Sequence, residues 1–429
     1  MVSSILPRLL YIGDIPVVNC EASELLLYRL LQNYPAESLQ IIENNTVSPD
    51  DPAGDRLPNV TYHRLAGGRR GRRHTRLAGI ATAWRHLNAR HRWQQVKPVV
   101  ETFKPEVVLT VLHGSAWLTA GAVAEKYKLP LHVIVCDYWP RHQQVPKWLR
   151  AVVDRDFGAV YRQAVSRYCV SPDLARMCAN NHRAQGSVLY PCQTDQAPPC
   201  SAPLRNGHAP RRGLTFAYAG SLQIPGTVTG LSQLAELLEP YDGHLTIYAS
   251  PEPAATPQSG LSRKNVTIKP LPPAPMRVAT WRDQADVLFL PATFDAQWQI
   301  QVATGFPDQL PEYTATGLPI LIWGPPFCSA VRWAKANPGA AAVVKSPHPK
   351  ALTAAVQRLV THADYRCQLG QKTLDIGQAY FGHTTATQKF FHNLELRTII
   401  PLQFILWWGV QQTAEFLNSG GGASMTGLW

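Results

Sequence analysis

The sequence predicts an α/β protein built from two doubly wound domains that face each other across a cleft. Three observations carry this expectation. Short β-branched runs alternate with longer segments of helical period, the rhythm of a parallel sheet covered on both faces. The rhythm breaks once, at Tyr190–Gly213, in a stretch rich in Pro, Ala, Gln and Arg with no apolar period, and then restarts. The length, 429 residues with 45% hydrophobic side chains, suits two cores and excludes wholesale disorder. The expected organisation is a first domain over 1–190, a linker over 191–213, a second domain over 214–380, and a crossover helix and tail over 381–429.

In the first domain Arg8–Gly13 reads as a buried strand ending in Gly-Asp. Ala22–Gln32 follows as a helix with Leu25, Leu26, Leu30 and Leu31 on one side. Leu39–Ile42 and Val60–Leu65 read as further strands. Thr75–Phe103 has helical period throughout, with a break expected at Pro98. Glu106–Leu112 (EVVLTVL) is a central strand, Ala116–Tyr127 a helix, and Leu131–Cys136 (LHVIVC) another strand. Val145–Val165 reads as a helix, Tyr168–Val170 as a short strand and Pro172–Asn181 as a helix.

The second domain opens with the strand Leu214–Ala219 (LTFAYA), closed by Gly220-Ser221. The helix Gly230–Leu238, the strands His244–Ala249 and Asn265–Lys269 and the short helix Ala274–Arg282 come next. Asp286–Leu290 (DVLFL) and Leu318–Trp323 (LPILIW) are buried strands with the helix Leu310–Thr316 between them. Ala341–Val344, His348–Thr361 and the helix from Asp364 to Tyr380 complete the pattern.

The 41 Lys and Arg against 29 Asp and Glu give a formal charge of +12, unevenly spread. Between Arg56 and Lys104 twelve residues are basic and one, Glu101, is acidic. Arg69, Arg70, Arg72 and Arg73 fall in a Gly-rich loop, and Trp84 and Trp93 interleave with Arg85, Arg90 and Arg92 beyond it. Such a segment suits an anionic membrane surface. A merely solvated face is the alternative, and nucleic acid a weaker one, since no nucleic-acid module accompanies the patch. No run of about 18 uncharged apolar residues suggests a membrane span, and no secretory signal is evident at the N-terminus. The eight Cys show no CxxC spacing, so reduced thiols in a cytosolic protein are expected.

Ligands of open α/β sheets bind at the carboxyl ends of the strands, and the most informative strand-end segment is Phe306–Pro319 (FPDQLPEYTATGLP). Phe306–Gln309 reads as a loop entering a short helix, whose free amides suit a phosphate. Glu312, in its first turn, has the carboxylate needed to accept two hydrogen bonds from a ribose diol. The alternative for Glu312 is a dipole partner, and for Asp308 a helix cap.

This segment resembles the "fPsKlpEYlatGkPvl" stretch of GT-B glycosyltransferases of the family-4 type. Phe216–Leu222 (FAYAGSL) is similar to the start of their donor-binding domain, and Asp286–Pro291 (DVLFLP) to their "aDvlllP" strand. Leu10–Pro16 and Val135–Pro140 resemble family strand-end loops. The resemblance implies two Rossmann-like domains and transfer of a sugar from a nucleotide-sugar, a substrate rather than a cofactor, to a glycan or lipid-linked glycan in surface polysaccharide or glycoconjugate synthesis. It implies a donor site at Gly220, Ser221, Ser250, Leu271, Phe306, Asp308, Gln309, Leu310 and Glu312, with Glu312 on the ribose, Gly220-Ser221 near the pyrophosphate or sugar, and the loops near Ser250 and Leu271 around the base. The chain departs from the pattern at three places. Thr304 stands where many members carry a Glu, Gln309 where they carry a Lys, and Ser221–Leu231 lacks their diphosphate-neutralising Arg and Lys. Arg263, Lys264 or Lys269 are candidate substitutes.

On the first domain, His113 and Asp137 close the strands EVVLTVL and LHVIVC, facing the expected cleft. A base near an acceptor hydroxyl serves group transfer, so both are candidate catalytic residues. Asp137 also resembles the acidic or His residue of the same family loop. Asp14, after the first strand, is a third candidate, and a turn residue binding amides is the alternative for each. The Asp154-Arg155-Asp156 tripeptide falls inside a predicted helix, where i and i+2 do not face each other, so no metal site is expected there. No HExxH or Cys/His cluster suggests zinc, and no GxGxxG follows the first strand. The apolar run Ile399–Val410 is too short to span a bilayer and is expected to pack on the first domain or dip into an interface. A peripheral, cytoplasmic, metal-independent transferase is the leading expectation. A non-catalytic binding or scaffold protein of the same shape, or a sugar-nucleotide epimerase, remains open.

Overall fold

A computed structural model describes residues 6–20, 22–44, 56–66, 78–142, 144–195, 213–249 and 259–395. Two all-parallel sheets organise them. The first has seven strands, β1 (Leu9–Gly13), β2 (Leu39–Asn44), β3 (Thr61–Leu65), β4 (Val107–Val111), β5 (Leu131–Val135), β6 (Ser166–Cys169) and β7 (Ser187–Val188), in the order 3-2-1-4-5-6-7. The second has six, β8 (Thr215–Ala219), β9 (His244–Ala249), β10 (Val266–Pro270), β11 (Val287–Pro291), β12 (Ile320–Trp323) and β13 (Ala342–Val344), in the order 10-9-8-11-12-13. Each order reverses direction once, between β1 and β4 and between β8 and β11. Those two crevices are the switch points where such sheets take ligands.

The helices around the first sheet are α1 (Ala22–Leu31), α2 (Ala78–Asn88), α3 (Trp93–Phe103), α4 (Ala116–Tyr127), α5 (Arg150–Gln163) and α6 (Pro172–His182). Those around the second are α7 (Pro225–Leu238), α8 (Arg277–Gln284), α9 (Gln299–Thr304), α10 (Gln309–Thr314), α11 (Ser329–Ala336), α12 (Pro349–Thr361) and α13 (Ala363–Phe381). Strands β1, β4 and β5 are buried at every residue, which is why they read as unbroken apolar runs. The core between them and the helices is filled by large side chains such as Trp117, Phe157, Tyr161 and Tyr168, each worth about 1.5–3 kcal/mol of burial.

A helix over 383–395 follows α13 and returns to the first domain, where Phe390 and Leu394 enter its core and Lys389 Nζ donates to Val188 O at 2.7 Å. Further links join the two sheets' domains. Phe306 packs against both cores, Ser171 Oγ donates to Thr304 O, and Arg332 pairs with Asp173.

The helical stretch over 75–103 does break, but not at Pro98, which sits inside α3. The break is a tight turn at Arg90–Arg92, where Ala89 O accepts from Arg92 N at 3.3 Å, three residues on, and also from the Thr119 hydroxyl at 2.7 Å. Helix α7 begins five residues before the expected Gly230, with Pro225 in its first turn. No described helix is long and apolar enough to cross a membrane. Arg69, Arg70, Arg72, Arg73, Ser250 and the run over 399–410 lie outside the described residues.

Candidate functional site

The switch point of the second sheet opens into a cleft of about 500 Å³ lined by Ala219, Gly220, Ser221, Leu271, Arg277, Trp281, Asp308, Gln309 and Glu312. Gly220, Ser221, Leu271, Asp308, Gln309 and Glu312 are thus brought together from three separate parts of the sequence. Tyr313 holds the two principal walls in register. Its hydroxyl accepts from Ala219 N at 2.8 Å, tying α10 to the end of β8. Gly220 has φ +147°, and a Cβ there would lie 2.5 Å from Gln309 Nε2. Both the backbone angle and the close approach therefore require glycine. Ser221 Oγ accepts from Gln223 N at 3.1 Å and stands exposed at the mouth.

Glu312 is only 2% exposed. Its Oε1 accepts from Arg29 Nη2 of α1, and its Oε2 lies 3.6 Å from Arg277 Nη1 of α8. Arg29 also donates to Cys192 O at 2.6 Å, and Arg277 to Pro272 O and Cys20 O at 3.0 Å each. A carboxylate this buried needs such partners to remain charged. Two of its neighbours thus come from opposite domains. Trp281 lines the same wall, stacked edge-on against Tyr313 at 5.2 Å, and its buried indole N–H has no partner.

Two expected donor residues do not line the cleft. Leu310 is fully buried and faces the core under β11 and β12, because a leucine on the inner side of a short helix is worth more there than on a polar wall. Phe306 packs on Tyr190 and Phe381, at 4.7 and 5.7 Å between rings. Asp308 makes no capping hydrogen bond to α10. Of the candidate substitute cations, Arg263 pairs with Glu239 at 2.8 Å and Glu236 at 3.4 Å, and Lys269 donates to Gln284. Neither lines the cleft. The cation that does is Arg277, which sequence reading missed because nothing in its local pattern separates it from a surface helix residue. Thr304 is buried and its hydroxyl donates to Ile300 O at 2.7 Å within α9.

Beside the first sheet's switch point, one strand over, His113 and Asp137 meet at the ends of β4 and β5. His113 Nδ1 lies 3.4 Å from Asp137 Oδ2, and His142 Nε2 lies 3.9 Å from the same oxygen. The Trp139 ring stacks on His142 at 4.8 Å and tilts against His113 at 4.2 Å. Burial works to lower the His113 pKa, but the facing Asp137 carboxylate outweighs it, and the pKa is raised. Burial works to raise that of Asp137, but His113 and His142 outweigh it, and it is lowered. His142 itself is lowered by burial. The result is a titratable cluster biased toward an ion pair. Asp14 has the bland role. Its Oδ2 accepts from the amides of Ser115 and Ala116 at the start of α4, and its Oδ1 from Asn44 Nδ2.

The Asp154-Arg155-Asp156 carboxylates diverge, Asp154 accepting from Tyr138 Oη and Asp156 meeting His86 Nε2 at 3.0 Å. Among the described residues no group of three or more His, Cys, Asp or Glu could hold a metal ion.

No family model matches this sequence. No curated protein matches it either. Solved structures do match it over nearly the whole chain. Sucrose-phosphate synthase from Thermosynechococcus elongatus is 14% identical with a TM-score of 0.64, covering 93% of this chain and 100% of that one. HepE from Anabaena, solved with UDP and glucose, is 11% identical with a TM-score of 0.64, covering 91% and 99%. The α,α-trehalose 6-phosphate synthase from Burkholderia multivorans is 13% identical with a TM-score of 0.65, covering 92% and 100%. The chain has the two-domain GT-B architecture that these proteins share.

Proposed function

We propose that this chain is a glycosyltransferase that moves a sugar from a nucleotide-sugar to a glycan or lipid-linked glycan acceptor. The observation that carries the reading is the convergence of Gly220, Ser221, Leu271, Asp308, Gln309 and Glu312 on one cleft at the second sheet's switch point. The UDP and UDP-glucose complexes of HepE support a nucleotide-sugar as the ligand class. In this reading Glu312 binds the ribose hydroxyls, with Arg277 and Arg29 holding its carboxylate in place. The turn at Gly220 admits the diphosphate to the backbone, and the unpartnered Trp281 N–H offers a further donor. The anomeric carbon–oxygen bond to the diphosphate breaks as the bond to the acceptor oxygen forms. Asp137, oriented by His113, stands by the acceptor hydroxyl to take its proton. No metal or cofactor enters this scheme. The reading places the protein in surface polysaccharide or glycoconjugate synthesis, cytoplasmic and peripheral at the inner face of a membrane.

A specific observation favours a second reading, a non-catalytic binding or scaffold protein. Thr304 bonds its own helix where family members carry a Glu, and Glu312 is already engaged by two arginines. One screen separates the readings. UDP and other nucleotides are titrated into the wild type and Glu312→Gln, and several nucleotide-sugars are tested for donor hydrolysis. Binding with hydrolysis supports the transferase, binding without hydrolysis the scaffold, and release of an epimerised sugar the epimerase. Unchanged nucleotide binding by a folded Glu312→Gln variant sinks the site assignment.

A further inference from the structure

Eight large hydrophobic side chains stand exposed among the described residues, and they are not scattered evenly. Ile80, Trp84 and Leu87 are 62, 67 and 65% exposed and follow one another at intervals of four and three along α2. That spacing sets them in a row on one face of the helix. Trp148, 65% exposed, lies in the turn Lys147–Leu149. This turn runs beside the start of α2, since a Cβ at Gly79 would lie 3.4 Å from Pro146 Cγ. Single exposed apolar residues need no explanation, but a row of three on one helix face, with a further exposed tryptophan on the neighbouring turn, does.

The opposite side of α2 is committed to the protein. Ala83 and His86 are buried, the His86 ring meeting Trp117 edge-on at 5.9 Å. Thr82, Arg85 and His86 line a cavity of about 470 Å³ whose other walls include Gly114, Ser115, Trp139, Val145 and Leu149. The row therefore faces outward from a helix whose inner face is already used.

Charge identifies the occupant. Residues 78–92 and 138–153 contain Arg85, Arg90, Arg92, Arg141, Lys147 and Arg150, and no Asp or Glu. Arg141 and Lys147 are exposed, Arg90 is exposed but lies 4.0 Å from Asp156 of α5, and Arg92 is buried. A surface that joins an apolar row to a local excess of positive charge, with Arg141 and Lys147 exposed beside it, matches an interface with a negative headgroup layer over an apolar interior.

We infer that the outer face of α2, with Trp148, is the docking surface of this protein for an anionic lipid bilayer. The helix lies in the plane of the interface, its row of Ile80, Trp84 and Leu87 entering the acyl boundary and the flanking cations meeting headgroups. The docking stands on the surface alone. Only its use, bringing a lipid-linked acceptor to the cavity beneath α2, rests on the glycosyltransferase reading.

The test is co-sedimentation of the full chain with vesicles of phosphatidylglycerol and phosphatidylcholine, and with vesicles of phosphatidylcholine alone. The wild type is retained on the anionic vesicles, and Ile80→Ser/Trp84→Ser/Leu87→Ser weakens retention roughly tenfold or more. Ile268→Ser, which removes an exposed isoleucine elsewhere, leaves it unchanged. Equal retention of the triple variant overturns the inference, as does equal retention of the wild type on phosphatidylcholine alone. A wild-type dimer that the triple variant abolishes, with neither protein held by vesicles, makes a second copy the occupant and also overturns it. UDP binding is measured on the same samples. Lost vesicle retention with intact UDP binding separates failure at this surface from failure at the cleft.

Discussion

At the C-terminal cleft the central carboxylate, Glu312, is buried and clamped between Arg29 of one domain and Arg277 of the other. In the N-terminal cluster at the ends of β4 and β5 the central carboxylate, Asp137, is partly open to solvent and faced by two histidines of its own domain. The first arrangement sets a carboxylate between two guanidinium groups, one from each domain, and ties it to how the domains meet. The second leaves a group whose protonation follows the medium and is indifferent to the other domain. Binding a constant ligand calls for the first, and moving a proton calls for the second.

The largest expected effect comes from breaking the clamp. Glu312→Gln leaves two buried guanidinium groups without their counter-charge and should cost roughly 3–5 kcal/mol in chemical denaturation. Arg29→Met combined with Glu312→Gln should recover part of that loss, since one orphaned charge goes with it. If the double variant is no more stable than the single, the clamp is not what holds Glu312. Next comes Gly220→Ala, which sets a methyl against Gln309 in a left-handed conformation. It should cost about 1–3 kcal/mol and weaken UDP binding by isothermal titration, while the titration of His113 stays where it was.

The N-terminal cluster predicts the opposite pattern. The raised pKa of His113 gives a contribution to stability that is complete below the ordinary histidine range and lost as pH rises through the raised value. The lowered pKa of Asp137 gives one that is present above the ordinary carboxylate range and lost as pH falls through the lowered value. Asp137→Asn should therefore cost most stability between those two limits, and little on the alkaline side. It should also move the His113 titration down in an NMR pH series, with UDP binding unchanged. A His113 titration that stays put would separate the two residues. The smallest effect is expected of Arg263→Ala. Its ion pairs with Glu236 and Glu239 are exposed and away from the cleft, so stability should change by less than about 1 kcal/mol and nucleotide affinity not at all.

The alternation of strands and helices was legible because buried parallel strands such as β4 and β5 are apolar at all but one position each, Thr110 and His132. The strands β8 and β11 and the segment around Glu312 were legible for the same reason together with their turns. What escaped was set by tertiary contacts. The two-residue strand β7 carries no periodicity, and α9 and α11 are too short to show one. The tight turn in the 75–103 stretch sits where a hydroxyl of α4 reaches Ala89 O, a contact that the local sequence does not state. Arg29 is a helical arginine among leucines and Arg277 one of the two arginines of its helix. Neither sequence neighbourhood states that a carboxylate from elsewhere lies against it. Leu310 shows the converse error, where adjacency to a site in sequence was taken for adjacency in space.

The return of the 383–395 helix to the first domain bears on how the protein is made. Phe390 and Leu394 belong to a core whose strands end at Val188, about two hundred residues earlier. At roughly 5–20 residues per second of synthesis, that interval is on the order of ten to forty seconds. Throughout it the earlier half emerges from the ribosome with the seat for those two side chains uncovered. It is sealed only after the second domain has been completed. The helix over 383–395 is thus a closing piece that residues following the second domain lay over the first, and it orders assembly in time: the first domain is begun before the second and closed after it.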